Sequence, residues 1–126
     1  MIIWGNINFE GPFSALNFIP PEKPAIFVIM TEPDPKNKPH MYKSIYFGES
    51  ENLNEKEFWK FHDKYECFIE DAKSESNLYI GFYDVSKFKE EHRKHIILKL
   101  IEKYNPICNK KITPRWVEVA PTQIYV

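Results

Sequence analysis

Tyr46, Lys56 and His62 follow one another in a short stretch of the chain. A phenol, an ammonium and an imidazole can all take part in hydrogen bonds, and the imidazole can exchange a proton near neutral pH. His92 and His95 stand three apart on a helical stretch, a spacing that can bind zinc, but no third strong ligand accompanies them. A cysteine–histidine nucleophile would need an oxyanion arrangement, and none is legible around Cys67 or Cys108. Two cysteines make neither a disulfide framework nor a zinc ribbon, so both are expected to be reduced, small, buried side chains of a cytoplasmic protein. The four glycines, Gly5, Gly11, Gly48 and Gly81, are too scattered for a glycine-rich phosphate loop.

These groups need a scaffold, and 126 residues with 43% hydrophobic content suit a single domain over residues 1–126. No run approaches a membrane span, and the N-terminus has no basic segment of the secretory type. A formal charge of −1 gives no whole-protein attraction to nucleic acid. The charge is uneven, however. Glu49–Glu75 carries nine acids against four lysines, whereas Lys87–Arg115 carries nine basic residues against three acids. The second segment is either a solvated helix face or a contact surface for an acidic partner.

The elements follow from pattern and punctuation. Six of the ten prolines fall between Pro20 and Pro39 and flank the apolar run Ala25–Met30, which reads as a buried strand. After a polar, proline-bearing loop, Lys43–Gly48 reads as a second strand, paired with the first as a wide hairpin. Asn52–Lys64 has helical character, and Cys67–Ala72 reads as a further short helical piece. Asn77–Tyr83 reads as a third strand. Asp84 or Ser86 is expected to cap a long helix whose stripe is Phe88, Ile96, Ile97, Leu100, Ile101 and Tyr104, and Pro106 ends it. Ile2–Trp4 or Ile7–Phe9 adds a strand at the start, and Trp116–Val119 and Ile124–Val126 read as peripheral strand at the end.

In this order the residues resemble the GIY-YIG nuclease superfamily over roughly residues 22–112, and look closest to its small stand-alone members. Ala25-Ile26-Phe27 takes the place of the first motif, and Tyr46-Phe47-Gly48, followed by Asn52-Leu53, the place of the second. Leu100-Ile101, Tyr104-Asn105-Pro106 and Asn109 resemble the closing segment. Tyr79-Ile80-Gly81 spells the second motif literally, but it lacks the Asn-Leu helix start and lies too far from the first motif. The resemblance implies an α+β fold: a small three-stranded antiparallel sheet flanked by helices, with extra N- and C-terminal segments.

It also implies chemistry. Active members use one magnesium ion held by a glutamate of the last helix, a first-motif tyrosine that helps activate water, and a helix arginine on the phosphate. Those three positions fall on Ile97, Phe27 and Lys56. Isoleucine cannot ligate magnesium, phenylalanine has no hydroxyl, and lysine lacks the guanidinium fork. The resemblance therefore implies a catalytically degenerate domain that binds nucleic acid or a partner. Its candidate catalytic residues are Tyr46, Lys56 and His62, and its candidate substrate-binding residues are Gly48, Asn109, Arg93 and Lys94. No metal ligand and no cofactor are expected. The alternative is a divergent Mg²⁺-dependent phosphodiesterase that cleaves DNA; a further alternative is a protein-interaction domain, a homodimer included, with no nucleic-acid role.

Overall fold

The computed structural model describes residues 1–36, 38–51 and 57–110. They form an α+β fold with five strands and three helices: β1 (Ile2–Trp4), β2 (Ile7–Ser14), β3 (Ala25–Thr31), β4 (Lys43–Ser50), α1 (Tyr65–Ala72), β5 (Leu78–Asp84), α2 (Glu90–Tyr104) and α3 (Ile107–Lys110). The sheet is antiparallel, in the order β1-β2-β5-β3-β4.

All seven residues of β3 are buried, because β4 and β5 flank it and side-chain layers cover both faces. Strand alternation sends Phe27 and Ile29 to one face and Ile26, Val28 and Met30 to the other. The first face is covered by α1 and by a single 3₁₀ turn, Phe58–Phe61, through Phe68 and Trp59. The second is covered by α2 and the β1–β2 hairpin, through Leu100, Trp4 and Phe9. The wide hairpin of β3 and β4 is present, with the third strand, β5, on the other side of β3.

The sheet has five strands rather than three, because both N-terminal segments become strands. Gly5 and Asn6 have positive φ (57° and 71°), and Trp4 pairs with Ile7 across them. Such a two-residue turn matches the natural twist of a hairpin. The hairpin then curls the sheet on itself. Trp4 of β1 and Phe47 of β4, from the two ends of the strand order, meet edge-on with ring centroids 5.9 Å apart. The Gly5 N–H donates to Tyr104 Oη at 2.7 Å and ties the turn to α2.

The helical expectations need two corrections. In Asn52–Lys64, residues 52–56 lie outside the described residues, Phe58–Phe61 is a 3₁₀ turn, and the α-helix begins only at Tyr65. Asp84 does not cap α2: its Oδ1 accepts from the N–H and hydroxyl of Ser86 in a local turn, and Lys89 stands at the helix N-cap. At the other end Asn105 turns left-handed (φ 53°) and Pro106 follows, as expected. Trp116–Val119 and Ile124–Val126 lie outside the described residues. Among the described residues, no helix is long and apolar enough to cross a membrane.

Cys67 and Cys108 are not free thiols; they form a disulfide that joins α1 to α3. Sequence gave no sign of this, because the two are brought together only when both helices pack on the same face of the sheet. The pairing also removes the reduced-thiol basis for expecting a cytoplasmic setting. It holds α3 where Asn109 can close the open edge of β4. The Phe47 N–H donates to Asn109 Oδ1 at 2.8 Å, and Asn109 Nδ2 donates to the Phe47 carbonyl at 3.0 Å. One side-chain amide thus supplies both bonds that a neighbouring strand residue would supply.

A bridge across 41 residues restricts the unfolded chain. Replacing Cys67 and Cys108 by serine is expected to lower stability by roughly 2–4 kcal/mol in urea titration. It should also speed exchange of the Phe47 amide hydrogen, and unchanged exchange would disprove the link from disulfide to clasp.

Candidate functional site

β3 and β4 bring Phe27 and Tyr46 side by side, with ring centroids 6.0 Å apart. Gly48 is the direct cross-strand partner of Phe27. A Cβ on Gly48 would lie 2.7 Å from both Phe27 Cζ and Tyr46 Cε2, so the glycine is what lets the two rings close over the strand. A bulge in β4 also shapes the site. Ile29 pairs with Tyr46 while Met30 pairs with Ser44, leaving Ile45 as the extra residue, and both Ile45 and Tyr46 then pack into the same cluster.

His62 follows the 3₁₀ turn and leans onto this floor. Its ring lies 5.0 Å from that of Tyr46, 5.5 Å from Phe68 and 6.4 Å from Phe27. The Lys64 N–H donates to His62 Nδ1 at 3.1 Å. That bond assigns the proton of the neutral ring to Nε2. Asp63 Oδ1 is also 3.1 Å from Nδ1, but an acceptor nitrogen gives it no hydrogen bond. Burial lowers the His62 pKa from its ordinary 6.5, against an upward pull from Asp63 and with a small further lowering from Lys64. Burial, with Asp63 adding to it, raises that of Tyr46. The pair near neutral pH is thus an uncharged imidazole beside an un-ionised phenol, packed among aromatic rings. Such a pair can donate and accept hydrogen bonds, and its rings offer stacking surface to a planar ligand.

The other expected site residues fall elsewhere. Lys56 lies outside the described residues. The Asn109 amide is engaged on the Phe47 backbone, as above. Arg93 is buried, and its guanidinium reaches from α2 to β4, with Nη2 2.6 Å from Glu51 Oε1 and Nε 3.6 Å from Glu49 Oε2. Lys94 is exposed and pairs with Glu90 one turn away, at 3.3 Å. Ile97 packs with α2's apolar stripe on the second face, in the cluster of Val28, Phe47 and Leu100, whereas Phe27 and Tyr46 belong to the first. Among the described residues no three His, Cys, Asp or Glu side chains are grouped to hold a metal ion.

Two groups have no sequence signal. Glu32 is buried at the end of β3; its carboxylate meets His40 Nδ1 and accepts from Tyr79 Oη at 3.3 Å. A proline-bearing loop hides that pairing, because nothing in its composition says that it folds back. The second is a cavity beside α2's end, lined by residues far apart in the chain. Comparison with protein-family models, with curated proteins and with solved structures returns no match.

Two outcomes follow. Gly48→Ala forces the Phe27 and Tyr46 rings apart and is expected to cost about 1–3 kcal/mol of stability, read from the urea midpoint; a neutral substitution would contradict the ring contact. For His62, the folded-state pKa lies below the unfolded one, so the unfolded chain binds more protons as pH falls. Its contribution is therefore complete above the unfolded value near 6.5 and declines as pH falls from there toward the lowered folded value. An NMR titration of the His62 ring should give a midpoint below 6.5, and a midpoint above it would contradict the buried neutral ring.

Proposed function

We propose that the chain is a GIY-YIG-like domain that has lost phosphodiester cleavage and binds nucleic acid. The observation that carries the loss is Phe27. It stands beside Tyr46 and His62, where the resemblance puts the water-activating tyrosine, and offers a ring without a hydroxyl. A divalent ion does not fit the residues present either. Ile97, at the position of the metal carboxylate, is aliphatic and packs in the other apolar cluster.

Binding has its own support. His92, His95, Lys99 and Lys103 succeed one another at steps of three and four along α2, and all are exposed. Glu90 lies off this stripe and pairs with Lys94, whereas Glu91 and Glu102 border it. Such a stripe meets phosphates by charge and not by bidentate readout, because the single described arginine, Arg93, is held by Glu49 and Glu51. The partner is then held without strong sequence preference.

Fluorescence anisotropy with a labelled oligonucleotide tests this reading. Binding should fall steeply with added salt, and Lys99→Glu with Lys103→Glu should reduce it at every sequence tried. The same samples with Mg²⁺ or Mn²⁺ should show no cleavage of plasmid. Absence of binding at low salt overturns the nucleic-acid role, and cleavage abolished by Tyr46→Phe overturns the loss of chemistry.

A further inference from the structure

A cavity of about 380 Å³ opens where the start of β4 meets the end of α2, lined by Trp4, Tyr42, Tyr104, Lys43, Asp71 and Asn105, among others. It is separate from the Tyr46–His62 ring cluster: Trp4, Tyr42 and Tyr104 belong to the second apolar cluster, and Tyr46 to the first. We propose that this cavity is a binding site for a methylated organic ammonium group, held between aromatic side chains and the Asp71 carboxylate.

Four observations converge on a cation. Trp4 and Tyr104 stand perpendicular, at 89° with centroids 5.0 Å apart, and make an aromatic corner that Tyr42 extends. Aromatic faces attract ammonium groups, most of all those whose methyl groups replace water. Asp71 is mostly buried and presents its carboxyl group here. The C-terminal end of the fifteen-residue α2, Tyr104 and Asn105, forms another wall, and the partial negative charge of a helix C-terminus favours a cation. Finally, a cation already sits at the cavity wall: Lys43 Nζ lies 2.8 Å from Asp71 Oδ2.

The Lys43 contact also says which cation. Although close, it leaves Asp71 Oδ2 without an aligned hydrogen bond. The carboxylate therefore holds charge by proximity. A quaternary ammonium has no N–H to donate and loses nothing at such an oxygen compared with Lys43, while its methyl groups gain the aromatic surface. Lys43 is about half exposed, so its ammonium can swing to water when a ligand enters. In this account Lys43 is the resident competitor, and removing its charge strengthens the site.

Choline is the probe, and 3,3-dimethylbutan-1-ol is its uncharged counterpart of the same shape. The readout is the Trp4 indole N–H resonance, identified by its loss in Trp4→Phe. Choline should shift it with a dissociation constant on the order of 1 mM, as a small ligand of few contacts allows. The uncharged alcohol should not shift it. Lys43→Met should bind choline several-fold more tightly, and Asp71→Asn about tenfold more weakly. Equal response to both ligands, weaker binding in Lys43→Met, or no shift in either wild type or Lys43→Met each overturns the proposal. Lys43→Met keeps the test decisive if Asp71→Asn does not fold.

Discussion

The structure depends on burying β3 from both sides. Seven consecutive residues, Ala25–Thr31, are removed from water, and not all of them could be if either face or either edge of the strand were open. Two neighbouring strands satisfy the backbone, and helices and a hairpin cover the faces. Alternation along β3 and β4 then fixes which side chains meet. Phe27 and Tyr46 must share the α1 side, and Val28 and Phe47 the α2 side. The candidate site and the cavity of the ammonium proposal are consequences of that partition, one per apolar cluster.

The edge of the sheet is secured by a different device. β4 is the last strand, and an open edge invites pairing with another chain. Asn109 occupies the Phe47 position of that edge, and the Cys67–Cys108 bridge holds its helix against α1. On the other face, the buried Arg93 joins α2 to the far end of β4 through Glu49 and Glu51. A residue that resembles a phosphate contact in sequence is thus a tie between elements. Its two acids and its burial remove the free guanidinium that recognition of a phosphate would need.

What was legible in the sequence divides by range of interaction. β3, β4 and β5 were visible because each is a β-branched and aromatic run bounded by breakers, and α2 because its stripe ends at Pro106. The Tyr46–His62 neighbourhood was partly legible through Gly48, whose lack of a Cβ lets the rings meet. What depended on distant parts of the chain was hidden. The disulfide spans 41 residues, and the Asn109 clasp spans 62. The short helix over Cys67–Ala72 is legible, but Phe58, Phe61 and Tyr65 repeat at near-helical spacing where the backbone runs through a 3₁₀ turn and a corner at His62. Glu32 looked like a loop acid, yet it is buried against His40 and Tyr79.

Phe27, Tyr46 and His62 pack ring against ring, and among the described residues no cluster of His, Cys, Asp or Glu is grouped to hold a metal ion beside them. Paramagnetic broadening by Mn²⁺ tests this directly, because even a weakly held ion bleaches the resonances nearest to it. Titrating Mn²⁺ while observing the ring signals of Tyr46 and His62 should broaden them no more than those of exposed carboxylates elsewhere. Selective loss of the Tyr46 and His62 signals at low Mn²⁺ would contradict the account.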